Sequence, residues 1–403
     1  MTIDSSLVLV FSVTVAGLLA NTVITRMGMI RTASLLLLSA LFLQQLYLFW
    51  PLSDPEKGLN GLGIFVVLGN LLACFYTPAH VSSRTTFSLI LMLNMLAMVI
   101  LKVESAVLLG TLIPMYFLLL MVGTGTRHGM HRLLLVFGTV ATVLLSWSLL
   151  AEGEQRLGIE LLGLVFFIGL FPLSPWYSRL FETLPSGLLA SSFVFQIMLV
   201  MSLEQQQALS RDPFMLILPA LAIVSLLIAL AQSSARRALS GLATSQLAFL
   251  VYADSGQHFS ELAALLLAQA QAIAVTGLIL TVGTLETRVG ELNISRPSGQ
   301  YDSYPKLASA MLLFGLMGAG FPLTLAYIAE DLVLESGFRE TPWFGLTWLL
   351  VTALTAITVI KLYLYLCHGR KGFEPGIDIL PSKLIAAVLA TSLLVFSSFS
   401  LAG

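Results

Sequence analysis

Residues 163–187 read GLVFFIGLFPLSPWYSRLFETLPSG, an apolar run with Pro172 and Pro175 in its middle. Residues 312–335 repeat the pattern in LLFGLMGAGFPLTLAYIAEDLVLE, where Gly318, Gly320 and Pro322 precede Glu330 and Asp331. Proline removes a backbone donor and clashes with the preceding turn. Glycine ahead of it lowers the cost of unwinding. Each run is long enough to cross hydrocarbon, which takes about 20 apolar residues, yet each carries a helix breaker at its centre. Freed carbonyls at membrane depth are tolerated only where they face protein or water. Two interrupted helices in corresponding positions point to an inverted repeat with an ion path at its interface.

The rest of the chain supports a membrane setting. Of 403 residues, 57% are hydrophobic and 10% charged, against about 25% charged in an ordinary soluble domain. That excludes a water-soluble enzyme of this length. The net charge of −1 leaves no basic footprint for nucleic acid. Cys74 and Cys367 both sit in apolar stretches, which argues against a disulfide framework or a zinc site.

Fourteen runs qualify as spans, beginning with 5–25, 30–50, 60–80, 86–103, 104–123 and 133–151. The remainder are 158–182, 186–205, 213–232, 236–253, 258–286, 305–336, 344–367 and 381–401. No A-x-A cleavage site follows the first, so it reads as a retained span. Loops after odd-numbered spans hold thirteen of the twenty Lys and Arg residues, and loops after even-numbered spans hold five. The odd loops are therefore expected in the cytoplasm, with both termini on the other side. The loops are short, and none carries a nucleotide loop, a haem motif or an iron–sulfur spacing. No cofactor is expected.

A charge at the bilayer centre costs roughly 2.5–3.5 kcal/mol or more, so a retained one is functional by default. The candidates are Glu330, Asp331 and Glu335 of the twelfth span and Lys361 of the thirteenth. A Glu330–Lys361 ion pair would make a minimal proton-loading switch. In an unbroken helix from Leu307, however, Glu330 would lie about 35 Å along, at the membrane surface, and Lys361 has room to snorkel. Gln196, Gln246, Gln269 and Gln271 read first as interhelical hydrogen-bonding groups and second as the lining of a hydrated strip. No cluster of His, Asp and Glu with ligand spacing lies in the spans, which argues against an enzyme acting on lipid or quinone.

Several of these stretches, taken in order, resemble one family: the antiporter-like proton-channel subunits of respiratory complex I (its chains L, M and N) and their relatives in cation/proton antiporters and membrane hydrogenases. FPLSPWYSRLFETLPSGLLASS (171–192) is similar to the family's seventh-to-eighth helix signature. AQSSARRALSGLATSQLAFL (231–250) is similar to its tenth-helix start, with Arg236 and Arg237 as the basic pair and Gln246 at a site often held by histidine. GFPLTLAYIAEDLVL (320–334) is similar to the twelfth-helix motif, with Glu330 on the charged position, and LIPMYFL (112–118) to the fifth-helix segment.

The resemblance spans roughly residues 104–336. It implies an all-α polytopic fold of about fourteen helices, with inverted repeats of five (helices 4–8 and 9–13) and broken helices 7 and 12. The corresponding divisions are 1–103, 104–205, 213–367 and 381–401. It also implies a multi-pass protein of a bacterial-type inner membrane, at most a non-redox subunit of a proton-translocating complex, with other membrane and peripheral subunits and the lipid bilayer as partners.

The family's relay positions fall on Leu109, Phe167 and Ala190, and near Gln271. Leucine and phenylalanine cannot pass a proton, so the amino-terminal half-channel is expected to be inactive. The proton path is then expected along Glu330, Lys361, Asp331, Gln246 and Gln271. The alternative is a non-transporting scaffold or a proton-coupling partner, for example in an energised inorganic-carbon uptake complex.

Overall fold

The computed structural model describes residues 5–24, 26–49, 54–78, 83–102, 106–125, 128–150, 155–206, 217–254, 260–322, 324–340, 342–369 and 378–402. Sixteen helices occupy them, and the only strand-like feature is a single bridge between Ser234 and Asn293. The chain divides into two compact units, residues 1–209 and 210–403.

Unit 1 holds α1 (Ser5–Val23), α2 (Met27–Phe49), α3 (Asp54–Tyr76), α4 (Arg84–Ile100), α5 (Ala106–Gly123), α6 (His128–Leu150), α7 (Gln155–Ile168), α8 (Ser174–Thr183) and α9 (Ser186–Gln206). Apolar composition makes these helices, because a chain in lipid must satisfy its backbone internally. Capping is sparse; at α4 the Ser83 hydroxyl accepts from the Thr86 N–H at 3.3 Å. α9 packs against α3 and α4. The approach to α3 is close because Gly187 has no Cβ, and one added there would overlap Thr77.

Unit 2 holds α10 (Ile217–Ala231), α11 (Ala235–Asp254), α12 (Ser260–Val289), α13 (Pro305–Gly318), α14 (Leu325–Glu340), α15 (Pro342–Cys367) and α16 (Pro381–Ala402). Pro305, Pro342 and Pro381 open three of these, where a missing N–H costs nothing and φ is already helical. Residues 291–304 form an ordered loop over the C-terminal end of α15. The N–H groups of Ser298, Gly299, Gln300 and Tyr301 donate to the carbonyls of Tyr365, His368, Leu366 and Cys367 at 2.8–3.1 Å. The helix end's orphan acceptors are thereby satisfied without water.

Among the described residues, five helices are long and apolar enough to cross a membrane, within Met27–Leu46, Gly129–Leu150, Ser186–Leu203, Leu262–Val289 and Pro342–Cys367. Both stretches predicted to be interrupted are interrupted: α7 gives way to α8 across residues 169–173, and α13 to α14 across 319–324.

Candidate functional site

The two breaks are built alike. Just past α7 comes Gly169 (φ 72°) and two residues past α13 comes Gly320 (φ 64°), both left-handed. The next N–H, of Leu170 or Phe321, donates five residues back to Val165 or Leu316, at 3.1 and 3.0 Å. That is the long bond of a Schellman cap. A turn follows in each, with Leu173 donating to Leu170 at 2.7 Å and Thr324 to Phe321 at 3.2 Å. Pro172 lies three residues after its capping glycine and Pro322 two after, so the prolines are one residue out of register while the turns match. α14 then starts on a side-chain cap, the Tyr327 N–H donating to the Thr324 hydroxyl at 3.3 Å. α8 has no side-chain cap and carries Pro175 in its first turn.

Around the first break the environment is aromatic. Trp176 and Tyr177 of α8 are fully buried. The Tyr116 ring stacks on Phe195 at 4.6 Å and lies 5.6 Å from Phe167. The tyrosine hydroxyls are taken up locally: that of Tyr177 donates to Gln196 Oε1 at 2.6 Å, and those of Tyr116 and Ser192 share a 2.6 Å bond, while Trp176 Nε1 has no hydrogen-bond partner among the described residues. Leu109, Phe167 and Ala190 are all completely buried. No ionisable group stands at the three positions where the sequence resemblance looked for one.

Around the second break lies a carboxylate. Glu330 is buried on α14, and its side chain folds back over Gly320. A Cβ placed at Gly320 would sit 2.8 Å from Glu330 Cδ and overlap its Oε2. Glycine serves there for its backbone angle, and its lack of a Cβ leaves the carboxylate its seat. Glu330, exposed Asp331 and Thr352 line a cavity of about 350 Å³ together with Gly320, Tyr327 and Ala353. Among the described residues Glu330 makes no ion pair. On the following turn of α14, Glu335 and Arg339 pair with each other at the surface.

Lys361 is not Glu330's partner. Its ammonium donates to the Leu230 carbonyl in the last turn of α10 and lies 5.6 Å from the Tyr365 ring centroid. A cation at a helix C-terminus satisfies an orphan acceptor and complements the dipole. The expected switch pair is thus replaced by a cap on another helix. Lys361→Met is expected to lower thermal stability by about 0.3–1 kcal/mol while leaving ion movement intact, measured by melting in detergent and flux in vesicles.

Gln246 and Gln271 do meet. Gln271 Nε2 donates to Gln246 Oε1 at 3.0 Å, and Gln246 Nε2 donates to Thr355 Oγ1 at 2.9 Å. This buried thread ties α11, α12 and α15, the interhelical role the sequence favoured for these amides. Gln271 Oε1 has no hydrogen-bond partner among the described residues. One turn on along α12, Ala274 packs against Gly318, where an added Cβ would lie 3.7 Å away. Arg236, of the predicted basic pair, is held by Glu286 of α12.

Two polar groups escaped the sequence reading. Glu160 of α7 is completely buried, and neither carboxylate oxygen has a hydrogen-bond partner among the described residues. Its signal was an acid at the head of an apolar run, with Arg156 one turn before it and its charge acting on Glu160. Replacing an unsatisfied buried polar group by an apolar one of like volume is favourable. Glu160→Leu is expected to raise stability by ~1–3 kcal/mol with flux unchanged, read by the same melting and vesicle assays. The second is Asp378, whose partners on α13 are more than seventy residues away in sequence, so nothing local announced it.

An all-helical membrane protein with two discontinuous helices, one of them holding a buried carboxylate at its break, is the class this fold and site define. The chain belongs to the NADH:quinone oxidoreductase/Mrp antiporter membrane family, whose model matches residues 156–358, half of the chain. NADH-quinone oxidoreductase subunit N 2 of Acidobacterium capsulatum is 31% identical over 227 residues, 52% of this chain and 46% of that protein. The chain thus matches about half the length of that relative. A chain of respiratory complex I from Thermus thermophilus with bound NADH superposes with a TM-score of 0.79 at 20% identity, covering 98% of this chain and 96% of that one. A chain of the Mrp complex from Dietzia sp. DQ12-45-1b gives 0.82 at 13% identity, covering 98% and 94%. The fold is that of an antiporter-like subunit of multisubunit membrane complexes.

Proposed function

We propose that this chain moves protons within such a complex, through unit 2 alone, with Glu330 as the group that takes up and releases them. The observation that carries this reading is the placement of the Glu330 carboxylate, buried against the Gly320 turn beside a cavity of about 350 Å³. A carboxylate at membrane depth is costly and functional by default. A broken helix offers it a backbone that can be rehydrated without unfolding a continuous span. Asp331, exposed on the same cavity, is the group that passes the proton to or from Glu330. The Gln246–Gln271 thread, one turn of α12 before the alanine that packs on Gly318, offers its unused Gln271 acceptor to the path. Lys361 serves by holding α10.

Unit 1 is closed in this reading. Leu109, Phe167 and Ala190 offer no proton carrier, and the tyrosine hydroxyls are tied to Gln196 and Ser192. Counting α7 with α8 and α13 with α14 as single interrupted spans gives fourteen crossings. The two matching breaks then belong to two inverted five-helix repeats, with both termini outside a bacterial-type inner membrane. Partner subunits follow from the surface of the breaks. Phe171 and Phe321 are 41% and 49% exposed, and non-helical backbone at that depth calls for protein or water rather than lipid.

The test is proton movement by the purified assembly in sealed vesicles, followed with a pH-sensitive dye during turnover. Proton uptake that responds to substitution in unit 2 and not in unit 1 supports the reading. An assembly that turns over with no uptake would favour a scaffold or a proton-coupling partner, such as one in inorganic-carbon uptake.

A further inference from the structure

We propose that Asp378 is a positioning residue for Glu330, acting along the length of α13. Asp378 lies just ahead of α16, and its carboxylate reaches the N-terminus of α13. The Lys306 N–H donates to Oδ2 at 2.7 Å, and the Leu307 N–H to Oδ1 at 3.3 Å. These are orphan donors of the first turn, which Tyr304, the residue at the cap position, does not satisfy with its own side chain. An acceptor carrying negative charge at this end stabilises a helix both by hydrogen bonding and through the dipole.

The anchor is itself anchored. Arg288, in the last turn of α12, lies 3.8 Å from Asp378 Oδ1 and 5.4 Å from the Tyr304 ring centroid. The Asp378 carboxylate also accepts from the Ile379 N–H at 2.6 Å, which fixes it to its own segment. Asp378 therefore fastens α13 to the end of α12 and to the approach to α16.

α13 is a rod of fourteen residues, about 21 Å at 1.5 Å per residue. Its near end is held by Asp378, and its far end is the Gly320 turn against which Glu330 packs. That far contact is close, since a methyl group at Gly320 would already overlap the carboxylate. An axial slip of α13 must therefore change how Glu330 is covered. The burial of the carboxylate is set from the opposite end of the half-helix.

The role rests on Glu330 being the ion-carrying group, but its test reads the cover over Glu330 directly. A hydrophobic carbodiimide adds to a protonated carboxyl, which gives its proton to a carbodiimide nitrogen and rearranges to an N-acylurea with nothing leaving. The labelling rate at Glu330 is measured by peptide mass spectrometry in the intact assembly in native membranes, with buried Glu160 of unit 1 as internal reference. Asp378→Ala is expected to raise the Glu330 rate about fivefold, the effect of losing one helix cap, with the Glu160 rate unchanged. Asp378→Asn, which keeps one capping oxygen but sets an NH2 against the other backbone donor and loses the charge beside Arg288, should raise the rate by less than Asp378→Ala does. Asp378→Glu, folded with its charge but one methylene longer, should raise it by a smaller factor.

Equal rises at Glu330 and Glu160 would mean general loosening and would overturn the proposal. So would an unchanged Glu330 rate in Asp378→Ala or, should that variant not accumulate, in Asp378→Glu. Should Glu330→Gln leave proton movement intact, the function proposed for Glu330 fails while the labelling result still stands or falls by itself.

Discussion

Glu330→Gln is expected to reduce proton uptake by the reconstituted assembly to the level of protein-free vesicles, with the assembly purifying in normal yield. The reasoning is local. Glutamine keeps the shape and the polar end that rests on Gly320, so the α13–α14 turn has no reason to change. What it cannot do is bind and release a proton. No other described residue is placed to substitute: Lys361 is engaged with the Leu230 carbonyl, and Gln246 and Gln271 have no ionisable group. Asp331 is adjacent on the same cavity but exposed. Normal uptake in the variant would remove Glu330 from the path.

The second large effect is expected at the glycine beneath it. Gly320→Ala meets two penalties at once. A left-handed conformation costs an L-residue roughly 1–2 kcal/mol, and the new methyl overlaps the Glu330 carboxylate. The carboxylate must leave its seat, so proton uptake per folded molecule should fall at least about tenfold, a displaced catalytic group being able to cost 10². Gly169→Ala is the matched control. Its φ is similarly positive, and its methyl would lie 2.7 Å from Tyr177 Cβ. Rigid aromatic packing cannot yield there, so stability should drop by about 1–3 kcal/mol. Uptake per folded molecule should hold, since nothing ionisable sits at that break. Equal functional losses in the two variants would show that unit 1 also conducts.

Much of the fold was legible because lipid leaves few options. A run such as 344–367, apolar but for Lys361 and four threonines, reads as a helix, and α15 (Pro342–Cys367) is one. The breaks were legible for the same reason, since Gly320-Phe-Pro322 and Phe171-Pro172 remove the donors a helix needs. Their shared Schellman geometry was not, because the prolines are offset by one residue and the glycines, not the prolines, set the turn. Glu330's depth hinged on the break itself: it is buried because α13 ends at Gly318 and α14 starts afresh.

The pairing of Lys361 went the other way. Seen in sequence, a lysine and a glutamate on successive spans suggest attraction. In space the lysine finds an unsatisfied helix carbonyl more than a hundred residues upstream, a partner with no side-chain signature. Asp378 was invisible on the same grounds, since backbone N–H groups carry no identity in sequence. Groups that bind side chains to side chains, such as Gln246 and Gln271, were the ones the sequence could nominate.

The Glu330 carboxyl is expected to change protonation during turnover, and infrared difference spectroscopy reads that change directly. A carboxylic C=O stretching band should appear and vanish with turnover in the intact assembly and be missing from Glu330→Gln. The same band persisting undiminished in Glu330→Gln would contradict it.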